Sequence, residues 1–538
     1  MILASKSVFA LSANRIFFRC LFQLAVVILV FDSCIALAAS SGDKKPDAMA
    51  DAGPRQPVVY PLDLALAQRW NRSNATANMP HHLPNLLVQM TCWGWCSSQK
   101  ENEVWLGNHV DASMFGNFRD MDGSAAVNPQ LAGYIYTLLW YTLDDSTRDP
   151  YNLGDKWQQD LASWAAARGF DEEEFYLHTA VPIANCASPS RTRACRLNTR
   201  AGSWGTNWYG NLGNPHFIEY TRDRIRRLAG ADGHKSIFLD IMGSDGPRSL
   251  ACSDKLPSIE YGTARDIYEK DLIQLVVQVR DALGGRPIQV NTASYTSAVS
   301  PFNGWIAIAA GSVQTEGLNT PFFEYNDAWE HIDQLLEAGV KVAFNFNSYT
   351  REDELVALGK WGHWKTRYSE GNYQNGLSRY QMTTLAQHYL LTPSRLSDNF
   401  YWNPNPQDWS VPYAKHWIPA VEVDLGAPVD LRRVLLTSGY DGAGQSYDLY
   451  RREFSNAYVY ARPQKKWSNG AWDDSTAIEV QLLEKNLRRL GPDGLSSPIL
   501  GNTIRLRNGE GVILLRSPES SAKVKTEVPG MPAIVADR

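Results

Sequence analysis

The 538-residue sequence lacks the short motifs that mark several common enzyme classes. It has no G-x-S-x-G nucleophile elbow, no H-E-x-x-H zinc signature, no P-loop and no EF-hand loop. The first predicted strand is followed by CWGWCSS and not by a Gly-rich phosphate turn, which disfavours an open, doubly wound sheet. These absences argue against a serine hydrolase, a zincin and a nucleotide hydrolase.

Long hydrophobic runs are scarce as well, and residues 1–38 have the pattern of a secretory signal peptide. Three basic residues, Lys6, Arg15 and Arg19, precede the apolar run LFQLAVVILVF, which is too short to span a bilayer comfortably. The triplet ALA at 36–38 matches a cleavage site. We therefore expect an exported protein, secreted or periplasmic, and an uncleaved anchor is the weaker alternative.

Positive charge is scarce. Without residues 1–38 the chain has 49 Lys and Arg against 56 Asp and Glu, a net charge of −7. This balance argues against a general nucleic-acid binder and, once the signal is removed, against an anionic-membrane binder. The 18 tryptophans fit either sugar-stacking surfaces or a large core.

Cysteine is sparse as well, and five cysteines follow the predicted cleavage site. Cys186 and Cys195 bracket a short polar loop, and export permits a disulfide between them. Cys92 and Cys96 would lie about 13 Å apart on an extended strand, beyond disulfide reach. No second pair of closely spaced cysteines and no H-x3–5-H pair completes a zinc site, so the sequence predicts neither metal nor cofactor. The pairing of Cys92, Cys96 and Cys252 stays open.

Apolar strand-like runs alternate with amphipathic helix-like runs from residue 85 to about 405. This alternation predicts an α/β fold with a parallel sheet, and about eight units fit a (β/α)8 TIM barrel with insertions. An open sheet is the competitor. The predicted strands are, in order, NLLVQMTCWGW, YIYTLLWYTLDD, EEFYLHTAVPI, SIFLDI, PIQVNTAS, IAIAAGSVQTEG, VKVAFNFNS and DNFYWNP.

The pattern changes after residue 405 to short β-rich runs separated by turns such as LGPDG and RNGEG. We interpret residues 406–517 as a small all-β antiparallel sandwich and 85–405 as the catalytic barrel. Residues 39–84 are interpreted as a linker and N-terminal lead-in, and 518–538 as a disordered tail.

Two predicted strands end on an acid followed by turn residues. Asp240 ends the fourth strand, and Glu316 ends the sixth in a similar way. Active sites of barrels lie at the C-terminal ends of the strands, and two facing carboxylates are what glycosidic cleavage needs. The alternative is that either acid caps a helix or pairs with an arginine.

Other polar and aromatic residues are predicted to reach the same end of the barrel. Amides and an imidazole suit sugar hydroxyls, and tryptophan suits stacking on a sugar ring; a core role for the histidine or any one tryptophan is the competing interpretation. The predicted substrate-binding residues are Trp95, Trp140, Asp144, His178, Trp208, Asn291, Asn345 and Asn347, with Asp144 on the second strand, His178 on the third, Asn291 on the fifth and the last two on the seventh.

Short islands of sequence resemble glycoside hydrolases that join a (β/α)8 barrel to a C-terminal β-sandwich. The islands are SIFLDIMG, VQTEG, LAQHYLL with DNFYWNP, YRREFSNAYVYARP and RNGEGVILL, spread over about residues 85–517. The stretch SNAYVYARP departs from the small, Gly-containing residues usual there. By analogy with barrel glycosidases that use strands four and six, the resemblance implies Asp240 as nucleophile and Glu316 as acid/base.

The sequence therefore predicts an exported glycosidase that cleaves a polysaccharide with two carboxylates, by a retaining mechanism. Its expected partner is a carbohydrate substrate. A catalytically inactive glycan-binding barrel and another polysaccharide-processing enzyme, a deacetylase or lyase, are the alternatives. The sugar, the linkage, endo or exo action, the stereochemical outcome and the oligomeric state do not follow from the sequence.

Overall fold

In the computed structural model of the chain, the residues described are 62–75, 85–90, 104, 107–115, 118–129, 131–139, 141–142, 157–200, 206–230, 235–240, 242, 258–262, 265–292, 301–316, 325–345, 376–392, 400–403, 418–463 and 476–517. No helix within these ranges is long and apolar enough to cross a membrane. The predicted signal peptide, the tail and Cys92, Cys96 and Cys252 lie outside them.

Eight parallel strands pair side by side into a closed ring. Each strand lies beside the one that precedes it in the ring's chain order, which is the arrangement of an α/β barrel. The ring strands are β1 (Asn85–Met90), β2 (Ala112–Phe115), β3 (Ala132–Thr137), β7 (Lys235–Leu239), β8 (Ile288–Asn291), β9 (Gly311–Glu316), β10 (Lys341–Asn345) and β11 (Phe400–Asn403).

Helices separate most of these strands along the chain. They are α1 (Leu62–Ala75), α2 (Phe118–Val127), α3 (Trp157–Ala166), α4 (Pro215–Ala229), α5 (Arg265–Ala282), α6 (Pro301–Ala310), α7 (Tyr325–Glu337) and α8 (Gly376–Leu391). The α4 start shows why a helix begins there: Asn214 accepts hydrogen bonds from the backbone of His216 and Phe217 at 2.7 and 3.2 Å, and Pro215 follows it. The prediction of a barrel of strands and helices is confirmed at this level.

The two faces of the ring strands differ in chemistry. Ile237, Leu239 and Val313 are fully buried in the main hydrophobic cluster, together with residues of the helices. Thr137 shares this outer face, since Arg224 of α4 donates to its hydroxyl at 3.1 Å. The alternate, inner positions of β8 and β9 carry Gln289, Asn291, Ser312 and Gln314, all at least nine-tenths buried. The barrel interior is therefore partly polar, where branched apolar residues are usual.

Helix α1 lies against the end of the barrel at which β8 and β9 begin. Asn71 donates to the carbonyl of Ile308 at 2.9 Å and accepts from Arg280 at 2.9 Å. Burial lowers the pKa of Arg280 to about 10. Gly339 has a φ of +75°, and a Cβ there would stand 2.6 Å from the Asn71 carbonyl oxygen. The predicted lead-in thus contains a helix that packs on the barrel.

An antiparallel β region follows the barrel, as predicted. Its six-stranded sheet has the order β12-β13-β14-β19-β16-β17, and β15 pairs with β18 in a second sheet. A separate hydrophobic cluster that includes Tyr460, Val480 and Leu514 packs between the two sheets. The strands are β12 (Val434–Tyr440), β13 (Ser446–Phe454), β14 (Ala457–Arg462), β15 (Ile478–Gln481), β16 (Arg488–Leu490), β17 (Ser496–Pro498), β18 (Thr503–Leu506) and β19 (Glu510–Leu515).

Two arginines, the buried Arg452 and the half-buried Arg433, join this β region to barrel helices. Arg452 donates to the carbonyls of Tyr389 at 2.9 Å and of Thr392, which satisfies acceptors at the end of α8. Arg433 forms a two-pronged ion pair with Asp333 of α7, at 3.0 and 2.7 Å. The β region is thereby held to the barrel's outer layer.

A long insertion follows β3 and departs from the predicted strands. The stretch predicted as the third strand forms a 3-10 helix, Glu172–Phe175, and isolated bridges outside the ring. The second ring strand is instead β2, which the sequence pattern missed. The insertion also contains β4 (Tyr141–Thr142), β5 (Asn198–Arg200) and β6 (Thr206–Tyr209) in one small sheet.

The predicted disulfide is confirmed in this insertion. Cys186 and Cys195 are bonded, with their Cα atoms 5.0 Å apart. The bond closes the polar loop between a bridge at Ile183 and the 3-10 turn Arg193–Cys195. The loop is otherwise highly exposed, so the crosslink supplies order that a hydrophobic core does not.

Candidate functional site

The C-terminal ends of the ring strands form the mouth of the barrel. Asp240 directly follows β7, the fourth ring strand, and Glu316 is the last residue of β9, the sixth. Both predicted strand positions are thus confirmed, although the second and third strands were assigned wrongly. The fourth and sixth strands were still numbered correctly, because one missed strand (β2) and one falsely predicted strand (around His178) upstream cancel in the count.

Asp240 is half-buried and held by its neighbours. The side-chain amide of Asn291, at the end of β8, donates to Asp240 Oδ1 at 2.8 Å. The backbone N–H of Asp240 donates to the carbonyl of Thr137 at 3.3 Å, and that of Met242 donates to the Asn291 carbonyl at 2.8 Å. We call Asp240 and Asn291 the mouth pair. Its two backbones are tied to each other and to β3, which limits how far the carboxylate can move.

The strand register places Glu316 relative to this pair. Asn291 is in register with Gln314, two residues before Glu316 on β9. Glu316 is in register with Asn345 of β10, which is in register with Asn403 of β11. Two strand spacings and a two-residue rise put the Cα atoms of Asp240 and Glu316 about 12 Å apart.

His178 lies elsewhere, and its predicted place on a barrel strand is wrong. It sits in the insertion after β3, is fully buried, and bonds both of its ring nitrogens to carboxylates. Nδ1 lies 2.9 Å from Glu260 Oε1, and Nε2 lies 3.0 Å from Glu173 Oε2. Burial would lower the pKa of His178, but the hydrogen bonds that its ring makes to the Glu173 and Glu260 carboxylates outweigh burial and raise that pKa above 6.5. Both ring nitrogens of His178 are therefore bonded to side chains of the protein.

Arg196 completes what we call the wall cluster: Glu173, His178, Arg196 and Glu260. Its guanidinium donates to Glu173 through Nε at 2.8 Å and Nη2 at 2.7 Å. Burial would raise the pKa of Glu173, but its bonds with His178 and Arg196 lower it to about 2. Because Glu260 comes from the segment after β7, the cluster joins the insertion after β3 to that segment beside the mouth.

The sequence carried little signal for the wall cluster. Three of its members lie within residues 173–196, but Glu260 is separated from His178 by 82 positions. The acidic run at 171–174 is recognisable as a helix start, and Asp171 accepts from the Glu173 backbone at 3.0 Å. Nothing in that run indicates which cation the acids would meet.

Trp208 has a packing role in β6. It is half-buried against the main core, and the Arg196 guanidinium lies 5.7 Å from its ring centroid. Asn345 is the last residue of β10, in register with Glu316. The remaining predicted sugar contacts fall outside the described residues: Trp95, Trp140, Asp144 and Asn347.

Among the described residues, no group of three or more His, Cys, Asp and Glu side chains is arranged to hold a metal ion. The site that can be built from these residues consists of carboxylates and amides at the ends of neighbouring parallel strands. Such groups can transfer protons, attack an electrophilic carbon and bind hydroxyls.

Comparison with known proteins gives distant structural likenesses only. No family model matches the chain. No curated protein matches it either. Among solved structures, the type III pullulan hydrolase of Thermococcus kodakarensis is 11% identical, with 83% of this chain and 78% of that one covered and a TM-score of 0.40.

Two further solved structures are similar at the same distance. The α-glucosyl transfer enzyme XgtA is 10% identical over 81% of this chain and 100% of its own, with a TM-score of 0.43. The glycoside hydrolase domain of PelA from Pseudomonas aeruginosa is 14% identical over 53% of this chain and 91% of its own, with a TM-score of 0.29. All three are named as carbohydrate-active enzymes, and at these scores we draw no functional argument from them.

Proposed function

We propose that this chain is an exported glycoside hydrolase that cleaves a polysaccharide with retention, using Asp240 as nucleophile and Glu316 as acid/base. The observation that carries the proposal is the position of the two acids, at the C-terminal ends of the fourth and sixth strands of one parallel ring. Their Cα separation of about 12 Å can be closed by side chains that converge on the barrel axis, to the spacing of about 5–5.5 Å that retention needs.

The proposed reaction has two steps. An oxygen of the Asp240 carboxylate attacks the anomeric carbon while the glycosidic C–O bond breaks, and Glu316 gives its proton to the leaving oxygen. A glycosyl ester on Asp240 results. The Glu316 carboxylate then takes a proton from water, the water oxygen attacks the anomeric carbon, and the Asp240 carboxylate leaves. Two inversions give net retention.

The test is a screen of the purified protein on a panel of polysaccharides, measuring new reducing ends and product masses. Asp240→Asn is the control because it keeps the size of the side chain and removes the nucleophilic charge. Wild-type cleavage that the variant lacks supports a hydrolase. Binding without cleavage in both proteins would support the glycan-binding alternative, and release of acetate or of unsaturated products would support a deacetylase or a lyase.

The role of Glu316 is tested with the variant Glu316→Ala. Activated aryl glycosides need little protonation, so they should keep much of their first-step rate, whereas poor leaving groups should not. Azide can enter the vacated space without a general base and should restore turnover, giving a glycosyl azide of retained configuration. An inverted azide product would contradict the retaining assignment.

Export is tested separately from chemistry. We expect the exported protein to begin after Ala38, as determined by mass spectrometry of its N-terminal peptide. A mature protein that retains residues 1–38 would contradict the signal-peptide interpretation and leave the reaction untouched.

A further inference from the structure

We infer that Asn291 is a positioning residue for Asp240, acting on the carboxylate and not on the sugar. This inference deepens the proposed function and rests on it. It revises the sequence-based prediction that Asn291 contacts the substrate. The observation behind it is the 2.8 Å hydrogen bond from Asn291 Nδ2 to Asp240 Oδ1.

The backbone around Asn291 makes this contact a fixed one. Asn291 is only 7% exposed, and its carbonyl accepts from Met242 just beyond Asp240. Leu239 and Val290, the residues before the pair, are in register on neighbouring strands. The two side chains therefore start from adjacent positions of one parallel ladder, so their contact follows from the sheet itself.

A neutral donor suits a nucleophile. An amide N–H stabilises the ionised carboxylate through a hydrogen bond to a charged acceptor, and it fixes the orientation of the carboxylate plane. It does not place a full positive charge beside an oxygen that must attack carbon. A lysine or arginine at position 291 would hold the charge more strongly and weaken its attack.

The inference separates two kinetic outcomes for Asn291→Ala. If Asn291 positions Asp240, kcat should fall about 10- to 100-fold with little change in KM, because a charge-assisted hydrogen bond of typical strength is lost. The acidic side of the pH profile of kcat/KM, which we call the acid limb, should also move to higher pH, because the hydrogen bond to the ionised carboxylate is lost. If Asn291 binds sugar, KM should rise and the acid limb should stay in place, which would overturn the inference.

Asn291→Asp sharpens the test at nearly constant size. It places a second carboxylate against Asp240, so the acid limb should move further up in pH than in Asn291→Ala. Asn71→Ala is the matched control. Asn71 is also a buried asparagine, but its side-chain amide makes its hydrogen bonds at the end of the barrel away from the mouth. That control should lower thermal stability and leave the acid limb unchanged.

A second readout needs no substrate. Carbodiimide labelling of carboxyl groups, followed by peptide mass spectrometry, reports the pH range over which Asp240 is protonated. Labelling of Asp240 should persist to higher pH in Asn291→Ala than in the wild type or in Asn71→Ala. If that shift appears without any glycosidase activity, the proposed function fails and the positioning contact stands; if activity is present and the labelling does not shift, the positioning role fails alone.

Discussion

The mouth pair and the wall cluster are neighbouring acidic sites with opposite chemistry. In the wall cluster, Glu173 meets a buried guanidinium and a histidine ring, and its pKa falls to about 2. In the mouth pair, Asp240 accepts a hydrogen bond from the neutral amide of Asn291. Cations around a carboxylate hold its charge in an ion-pair network, whereas an amide donor orients a carboxylate without adding a positive charge.

Mutation of one acid from each site, Asp240 from the mouth pair and Glu173 from the wall cluster, tests this difference most directly. Asp240→Ala should lower kcat by more than about 10⁴-fold, since the nucleophile is removed. Glu173→Gln should lower stability and leave kcat within about tenfold, because Glu173 lies outside the proposed chemistry. Steady-state kinetics on the substrate found by screening measures both. Equal losses in the two folded variants would remove the distinction.

The wall cluster should show its importance in stability. Arg196→Met leaves Glu173 and Glu172 without their buried cation, and we expect the free energy of unfolding to fall by about 3–5 kcal/mol. Arg191→Met is the matched control: Arg191 is 63% exposed and stands 3.6 Å from Glu260. Arg191→Met should lower the free energy of unfolding by less than about 1 kcal/mol. Urea unfolding measures both variants. Similar losses of unfolding free energy in Arg196→Met and Arg191→Met would contradict the expectation that the buried arginine stabilises the fold more than the exposed one.

The disulfide beside the wall cluster should stabilise without affecting catalysis. Replacing Cys186 and Cys195 together by serine should lower the free energy of unfolding by about 2–3 kcal/mol, as expected for so short a loop. The kinetic constants should not change. Denaturant unfolding of the variant and of the reduced wild type should agree with each other. A variant as stable as the oxidised wild type would show that the bond constrains nothing.

The smallest effect concerns pH and His178. Its pKa is raised above 6.5 in the folded protein, so its stabilisation is complete below about pH 6.5 and is lost as pH rises through the folded pKa. The groups that face it or its partners are Glu173, Glu260, Arg191 and Arg196.

We therefore expect the stability advantage of wild type over His178→Asn to shrink as the pH rises from 6 to 9. Urea unfolding at several pH values measures this advantage. An advantage that is constant across the range would mean that the histidine is held without its second proton.

Sequence reasoning located Asp240 because its strand is a regular apolar run, and a break to polar turn residues marks where a parallel strand ends. The predicted sixth strand, IAIAAGSVQTEG, was only half correct, because its apolar first half belongs to helix α6 and only Gly311–Glu316 forms β9. The strand β2, Ala112–Phe115, was missed because four residues are too few to show a period. The stretch around His178, EEFYLHTAVPI, was mistaken for a strand because it is rich in aromatic and β-branched residues, although Asp171 caps a 3-10 helix just before it.

The hydrogen-bond partners of the side chains could not be predicted from the sequence pattern. Asn291 was predicted at the mouth, yet its bond to Asp240 depends on which residues face each other across β7 and β8. The wall cluster depends on contacts between an insertion and a distant segment. Register and long-range packing decide both, and neither leaves a local period in the sequence.

The most direct test of the central claim is covalent trapping. A 2-deoxy-2-fluoro glycoside of the sugar identified by screening should accumulate as a glycosyl-enzyme, and peptide mapping should find the label on Asp240 alone. A label on Glu316 would reverse the two roles. A label on neither acid, with Asp240→Ala and Glu316→Ala both still active, would contradict a glycosidase built on this pair.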